Sequence, residues 1–178
     1  MLFQKEGLQV RRLEEKDEEL LVKWLSSPIV LEFYEGRDKS FNLNKVRDVF
    51  YDSADETVKC LIEYEGNPIG YIQYYQLDEK TKRDFGYTNE LIFGMDQFIG
   101  EAGYWNKGIG SLLVSSMVHY LLKEKPAGRV IMDPQIRNKR ALRCYEKCGF
   151  NKVRILPKHE LHEGKYQDCW LLEYKDGK

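Results

Sequence analysis

Asp96 is the first residue of this chain to suggest chemistry, because it lies inside the otherwise apolar segment LIFGMDQFIG at residues 91–100. Aspartate is disfavoured in strands and costly to bury without a partner. A carboxylate in such a place can bind an amine and take up its proton, although a strand-end Asp satisfied by backbone N–H groups is the alternative. Because an aqueous Asp has a pKa of ~3.9, the chemical role requires a pocket that raises this value or a water that relays the proton.

A glycine-rich turn follows at residues 102–110 and leads into a segment with the apolar spacing of a helix. Gly108 and Gly110 have no side chains, so backbone N–H groups at the helix start can approach an anion, and the helix dipole adds partial positive charge there. Ordinary turn glycines are the alternative. The segment has neither the G-K-[ST] sequence of a P-loop nor the G-x-G-x-x-G spacing of a dinucleotide site. It predicts a phosphate cradle of another type.

The charges are distributed as two such sites require. Residues 129–154 carry eight basic and two acidic side chains, whereas residues 78–101 carry six acidic and three basic ones. One region suits an anionic cofactor and the other a cationic substrate, with ordinary solvated charge as the alternative. Overall, 28 Lys and Arg balance 29 Asp and Glu, which excludes a globally basic nucleic-acid binder.

The elements that position these residues alternate between strands and helices. Helical spacing predicts helices at residues 16–27, 42–50, 109–122 and 138–147. Alternating or β-rich segments predict strands at residues 8–13, 57–64, 69–77, 91–100, 129–132, 151–156 and 168–174, and residues 78–90 are expected to form a loop. Helical connections in the second half imply parallel strands, and the hairpin before them implies antiparallel ones. A mixed α/β sheet is predicted.

Size and composition place the chain among single-domain proteins. Its 178 residues, 42% of them hydrophobic, are enough for one core, and we expect one domain over residues 1–178. No apolar run reaches the ~18 residues of a membrane span, the start lacks a signal-peptide pattern, and the four scattered cysteines suit a reducing compartment. A cytoplasmic protein without a membrane partner is expected. His159 and His162 lack zinc-site spacing, so no metal is predicted.

A second motif starts at Asn138 and has the form N-x-x-A-x-x-x-Y-x-x-x-G-F. With the glycine turn, it resembles the GNAT superfamily of acetyl-CoA-dependent N-acetyltransferases. Trp105 departs from that family's earlier motif, (Q/R)-x-x-G-x-(G/A), at its first position. The blocks VLEFYEGRDK, GMDQFIGE and LPKHELHEGK are similar to aminoglycoside 6'-N-acetyltransferases, especially to the acetyltransferase half of the bifunctional acetyltransferase-phosphotransferases.

This resemblance implies the GNAT fold, a mixed and mostly antiparallel sheet of six or seven strands. About four helices flank the sheet, which splays between its fourth and fifth strands. The implied cofactor is acetyl-CoA, with its pantetheine arm against the backbone of Phe98 and Ile99. Its diphosphate is expected to bind Asn106, Lys107, Gly108, Ile109, Gly110 and Ser111. The helix that starts at Asn138 is expected to flank the cofactor with Asn138, Ala141 and Tyr145.

The resemblance also implies the reaction: acetylation of the 6'-amine of kanamycin- and tobramycin-type aminoglycosides, with antibiotic resistance as the result. Asp96 is then the acid of the site and Tyr145 the proton donor to the departing thiolate. Direct attack by the amine in a ternary complex is favoured, because Cys144, in the second motif, has no neighbouring histidine. The other expected substrate contacts are Asp133, Glu163, Glu90, Tyr34 and Tyr74. A GNAT acting on a polyamine or a protein N-terminus is the alternative. In either case we expect a monomer or homodimer.

Overall fold

The computed structural model describes residues 1–177 and contains, within them, one sheet of eight strands. The strands are β1 Phe3–Lys5, β2 Leu8–Arg12, β3 Val58–Tyr64, β4 Asn67–Gln76, β5 Ile92–Ile99, β6 Arg129–Met132, β7 Asn151–His162 and β8 Lys165–Tyr174. Their order in the sheet is β1-β2-β3-β4-β5-β6-β8-β7. Only β5 and β6 pair in parallel, so the predicted mixed, mostly antiparallel sheet is confirmed. It has eight strands rather than six or seven, and residues 1–177 contain six α-helices rather than about four. Strand β1 was not predicted, because three residues are too few to show an alternation.

The helices are α1 Glu18–Trp24, α2 Pro28–Leu31, α3 Leu43–Val46, α4 Glu79–Asp84, α5 Ile109–Glu124 and α6 Lys139–Lys147. A π-helical turn, Arg47–Tyr51, continues α3. Helix α4 lies in the predicted loop; its charged sequence EKTKRD has no apolar stripe, and Asp78 caps it by accepting a hydrogen bond from Thr81 N at 2.7 Å. No helix within residues 1–177 has the length and hydropathy needed to cross a bilayer.

Different helices cover the two faces of the sheet. One core cluster joins α5 and α6 to the sheet through residues that include Met95, Leu113, Met117 and Leu142. The other joins α1 and α3 to the sheet through residues that include Leu21, Trp24, Val46 and Tyr71. Because successive side chains on a strand point to opposite faces, Asp96 lies on the α1–α3 side of β5 and Gln97 on the α5–α6 side.

Strands β5 and β6 separate after a short parallel ladder. Their paired residues are Ile92 with Arg129, Phe93 with Val130 and Gly94 with Ile131. Beyond Gly94, none of residues 1–177 pairs with β5 on that side, although β4 continues to pair with it on the other. Strands β5 and β6 correspond to the fourth and fifth predicted strands, so the sheet opens where the resemblance implied it.

Candidate active site

A cavity of about 880 Å³ occupies the opening between β5 and β6. This volume is at the upper end of the usual range for small-molecule sites. Its walls come from the segment after α2, from β5, from the turn before α5, from the end of β6, from α6 and from β7. Twelve of the residues that were predicted for the site line this cavity: Tyr34, Asp96, Phe98, Ile99, Asn106, Gly108, Gly110, Ser111, Asp133, Asn138, Ala141 and Tyr145.

The Asp96 carboxylate is held by a chain of two hydrogen bonds. Asp96 Oδ2 accepts a hydrogen bond from Gln73 Nε2 at 2.9 Å, and Gln73 Oε1 accepts one from the Tyr71 hydroxyl at 2.7 Å. Gln73 and Asp96 are directly opposite on the β4–β5 ladder, which places both side chains on one face. The amide therefore orients one carboxylate oxygen and leaves the other for a ligand.

The surroundings of Asp96 change its acidity. Burial, and after it the negative charge of Asp133, raises the pKa of Asp96 to about 6. The hydrogen bond from Gln73 acts in the opposite direction, while Glu160 and Glu35 add repulsion. A carboxylate with a pKa near 6 is still mostly ionised at neutral pH, yet it is a better proton acceptor than one in water. The pocket thus supplies the raised pKa that a chemical role for Asp96 requires.

Further acidic residues line the cavity with Asp96. Asp133 follows β6, Glu160 lies on β7 and Glu35 follows α2. Burial raises the pKa of the Glu160 carboxyl. Of these acids, only Asp96 lies in the acidic region of residues 78–101; three segments distant from it along the chain supply the others. Residues 1–177 contain no group of three or more His, Cys, Asp or Glu side chains that could hold a metal ion.

Tyr145 enters the cavity from α6. Its hydroxyl accepts a hydrogen bond from Gln97 Nε2 at 2.7 Å, and burial raises the pKa of the phenol, so it keeps its proton at neutral pH. Because Asp96 and Gln97 point to opposite faces of β5, the carboxylate and the phenol come from opposite sides of the sheet. The separation of β5 from β6 is what lets both reach one cavity.

The other end of the cavity is built to receive an anion. Gly108 is the N-cap of helix α5, and no side chain caps the helix there. Gly108 has a φ of 79°, a left-handed conformation that glycine adopts without strain, and no heavy atom lies within 4 Å of where a Cβ would be. The first N–H groups of a helix have no intrahelical acceptor, and the dipole makes them positive. Arg140, whose guanidinium lies 4.3 Å from the centre of the Trp105 ring, lines the same cavity and adds a full positive charge to it.

Two expected cofactor contacts are placed differently from the prediction. Lys107 does not line the cavity, and its ammonium lies 5.9 Å from the centre of the Tyr104 ring. The side chain of Ile109 is 5% exposed and belongs to the core, so only its backbone N–H faces the turn. The turn offers mainly backbone groups to a ligand.

The backbone direction along β5 corrects the expectation for Phe98. Gly100 N donates to Ile69 O of β4, and backbone groups alternate in direction along a strand, so those of Phe98 also face β4. Those of Gln97 and Ile99 face the opening instead. Trp105 Nε1 donates to Ile99 O at 2.8 Å. The residue at the first position of the motif, where the family has Gln or Arg, therefore binds the backbone of β5. Phe98 contributes its ring to the cavity.

Tyr74 is a wrong prediction, because it lies on the other face of β4 from Gln73. It is 2% exposed and packs in the α5-side core, with its ring centre 5.9 Å from that of Tyr120. Tyr75 lines the cavity in its place. It fits only because its neighbour on β5 is Gly94, where an added Cβ would lie 2.6 Å from the Tyr75 ring.

Glu90 and Glu163 are placed outside the cavity lining, each in an ion pair. Glu90 lies 3.0 Å from Arg129 Nη2, beside β6. Glu163 lies 2.5 Å from Arg37 Nε and joins the β7–β8 turn to the segment after α2. Charge alone could not separate these acids from Glu160, which does line the cavity and was not predicted. The alternation of side chains along the strand LPKHELHEGK is the signal in the sequence that could have identified Glu160.

Cys144 is the one cysteine within residues 1–177 that lines the cavity. Its Sγ lies 3.6 Å from Ser111 Oγ. Contact with Cys148, and after it burial, raises the pKa of the Cys144 thiol. A protonated thiol without an activating base is a poor nucleophile.

Comparisons with known proteins agree on one family. The model of the acetyltransferase (GNAT) domain family matches residues 14–157. The chain is 31% identical over 151 residues to an aminoglycoside N(6')-acetyltransferase type 1 of Klebsiella pneumoniae, which covers 83% of this chain and 75% of that protein. It is also 37% identical over 65 residues to a kanamycin resistance protein of Rhizobium radiobacter, covering 36% of this chain and 60% of that protein.

Solved structures share the fold along nearly the whole chain. Aminoglycoside acetyltransferase AAC(6')-Ib in complex with coenzyme A and kanamycin superposes with a TM-score of 0.74 at 23% identity, covering 95% of both chains. Spermidine N-acetyltransferase from Vibrio cholerae in complex with CoA and spermine gives a TM-score of 0.77 at 15% identity, covering 96% of both chains.

Proposed function

The chain belongs to the GNAT acetyltransferase family, and from this premise we propose that it uses acetyl-CoA to acetylate the 6'-amine of kanamycin- and tobramycin-type aminoglycosides, which confers resistance to them. The observation that supports this most is the cavity, which joins an uncapped helix start to a wall containing Asp96, Asp133 and Glu160. The first suits the phosphates of the cofactor and the second suits a sugar with several ammonium groups. We also infer that residues 1–178 form one catalytic domain.

The cofactor has a matching place on this chain. Its diphosphate would be held by the backbone N–H groups from Ile109 to Ser111 and by Arg140. The outward-facing backbone of Gln97 and Ile99 would hold its extended arm, as an added strand would. Asn138, whose Oδ1 caps α6 by accepting from Ala141 N at 3.3 Å, and Ala141 would flank it. Bound acetyl-CoA supplies the acetyl group as a thioester, which is already activated toward an amine.

Asp96 binds and orients the amine that is to be acetylated. An ammonium group has no lone pair, so a proton must leave before the nitrogen can attack. Asp96 accepts that proton at the oxygen that Gln73 leaves free, and its raised pKa improves it as an acceptor. Asp133 and Glu160 bind other ammonium groups of the same substrate.

Tyr145 holds a proton for the departing sulfur. With ordinary pKa values of ~10 for tyrosine and ~8.5 for a thiol, complete transfer is uphill by roughly 2 kcal/mol, and burial raises the pKa of Tyr145 further. The hydroxyl therefore stabilises the sulfur by donating a hydrogen bond rather than by giving up its proton completely.

Direct attack by the amine is the step we propose, since Cys144 is not activated. Most of the rate enhancement then comes from holding two reactants together and from backbone donors beside the thioester oxygen.

A polyamine is the second candidate substrate, because the acidic wall would also bind a flexible chain of ammonium groups. A polyamine, however, lacks the sugar rings that the aromatic faces of Tyr34, Phe98 and Tyr75 could cover. A peptide N-terminus would suit a neutral groove better.

The test is thiol release by the purified protein with acetyl-CoA and a panel of amines. The panel contains kanamycin, a kanamycin analogue with a hydroxyl in place of the 6'-amine, spermidine and a short peptide. Turnover of kanamycin but not of the analogue, with the acetyl group located on the 6' nitrogen by NMR, is the expected result. Equal turnover of the analogue would exclude 6' selectivity, and preference for spermidine would replace the aminoglycoside by a polyamine.

A further inference from the structure

Gln97 is the residue next to Asp96 on β5, and its side-chain amide lies between the open strands. Its Nε2 is 2.7 Å from the Tyr145 hydroxyl and 3.7 Å from Met132 Sδ. Its Oε1 is buried, and no donor reaches it within residues 1–177. The amide thus has two acceptors beside its nitrogen and an unsatisfied oxygen.

The orientation of this amide follows from its neighbours. The amide nitrogen carries two hydrogens and can only donate. Both atoms that lie near Nε2, the Tyr145 oxygen and the Met132 sulfur, can accept a hydrogen bond. If the amide were turned over, its oxygen could accept a hydrogen bond from the Tyr145 hydroxyl, but both N–H hydrogens would lose the acceptors that Tyr145 Oη and Met132 Sδ now provide. The observed orientation leaves one unsatisfied group, and the reverse orientation leaves more.

This orientation determines what the Tyr145 hydroxyl can do. A tyrosine hydroxyl can donate or accept, but an N–H group makes its oxygen accept. Within residues 1–177, the Tyr145 hydroxyl has no hydrogen-bond partner other than Gln97. Its own hydrogen is therefore free to point into the cavity that it lines.

The unsatisfied oxygen shows that the amide has a cost for the fold. Leaving a buried acceptor without a donor destabilises the folded protein, and an apolar side chain of similar size would avoid that loss. Methionine or leucine would fill the space between Met132 and Tyr145 without an unsatisfied polar atom. A glutamine here is better explained by the bond that it donates than by packing.

We propose that Gln97 is a positioning residue that acts through Tyr145. By occupying a lone pair of the hydroxyl oxygen, it directs the hydroxyl hydrogen toward the sulfur atom of the cofactor. This inference rests on the proposed function, in which Tyr145 donates to that sulfur. The side chain of Gln97 itself need not touch either reactant.

A binding measurement tests this without an acceptor amine. Calorimetry compares the Kd of CoA with that of desulfo-CoA, in which a hydrogen replaces the thiol. A directed hydroxyl makes the wild type bind CoA about threefold to tenfold more tightly than desulfo-CoA, as one hydrogen bond to a neutral group would. Gln97→Met is expected to bring this ratio close to one, as is Tyr145→Phe.

The double variant and two companions make the outcome specific. Gln97→Met should change neither the ratio nor kcat further in the Tyr145→Phe background, because its effect passes through that hydroxyl. Gln97→Glu, which offers Tyr145 an acceptor instead of a donor, should also lower the ratio and kcat while the KM for acetyl-CoA stays within about twofold. Gln76→Met, at the exposed end of β4, is the matched control with unchanged values.

Three results would overturn the inference: no preference for CoA in the wild type, an unchanged ratio in a folded Gln97→Met protein, or equal losses with and without the Tyr145 hydroxyl. Thermal unfolding of each variant separates these from misfolding, and Gln97→Glu serves if Gln97→Met does not fold. A protein that shows the expected ratios but acetylates no aminoglycoside would contradict only the proposed function.

Discussion

His159 and Asp133 are joined across the acidic side of the cavity, with His159 Nε2 2.7 Å from Asp133 Oδ2. This hydrogen bond raises the pKa of His159. One oxygen of the carboxylate expected to bind a substrate ammonium is therefore already engaged. A protonated imidazole is a cation in the place where the substrate's cation would bind.

We expect the KM for kanamycin to rise as the pH falls through the raised pKa of His159, because the imidazolium then competes for Asp133. His159→Gln should remove this part of the pH dependence and lower KM at acid pH by about fivefold to tenfold, the equivalent of roughly 1–1.4 kcal/mol. Asp96 and Glu160 titrate in both proteins, so the comparison isolates His159. His119→Gln, at an exposed site on α5, should behave like the wild type; identical KM profiles in all three proteins would contradict the idea.

Replacing Asp96 by Asn should lower kcat by about 10²–10⁴, the usual contribution of a positioned acid or base. The Kd of acetyl-CoA should stay within about twofold, because Asp96 lies on the substrate side. In the wild type, kcat/KM should fall as the pH decreases through about 6, where Asp96 becomes protonated. Asp84→Asn, a change at a 58% exposed carboxylate, is the control. Parallel loss of cofactor binding would indicate misfolding.

The same substitution should stabilise the fold at neutral pH. The folded-state pKa of Asp96 is raised to about 6 from 3.8, so the folded protein binds this proton more tightly than the unfolded chain does. The stability that protonated Asp96 gives is complete below about pH 4 and is lost as the pH rises through about 6. Asp96→Asn should therefore increase the free energy of unfolding by about 1–3 kcal/mol at pH 8 and by little at pH 4. Urea unfolding at both pH values measures it; a destabilised variant at pH 8 would reverse the sign.

Tyr145→Phe should lower kcat at saturating acetyl-CoA by about tenfold to hundredfold, since a hydrogen bond to the departing sulfur is lost while binding of the amine is not. Tyr166→Phe, at a 63% exposed hydroxyl, should leave kcat unchanged. An unchanged kcat in Tyr145→Phe would remove this residue from the mechanism.

Cys144→Ala should keep kcat within about threefold of the wild type, because the raised pKa of this thiol makes it a poor nucleophile. Initial-rate plots with both substrates varied should intersect, as sequential kinetics requires. Parallel lines, or an acetylated enzyme detected by mass spectrometry without an acceptor amine, would show an acyl-enzyme route instead.

Local sequence patterns predict most of the fold. The apolar spacing of α5, the extent of α6 and the hairpin of β3 and β4 are decided within a few residues, and the structure has each of them. The conspicuous features of the site were local too: an acid inside an apolar strand, and glycines before a helix. Short or charged elements such as β1 and α4 carry too little apolar pattern to be recognised.

Which side chains meet was decided by tertiary structure. Tyr74 and Tyr75 are adjacent in a strand that is buried on both faces, so no polar alternation shows which of them faces the cavity; pairing with β5 settles it. Gln97 meets Tyr145 and His159 meets Asp133 across 48 and 26 residues of sequence, respectively. The sequence by itself determined most of the elements, the family motifs and Asp96, because these depend on neighbours along the chain. The partners of Asp96, Asp133 and Tyr145 depend on strand register and on where the sheet opens, and only the folded chain brings them together.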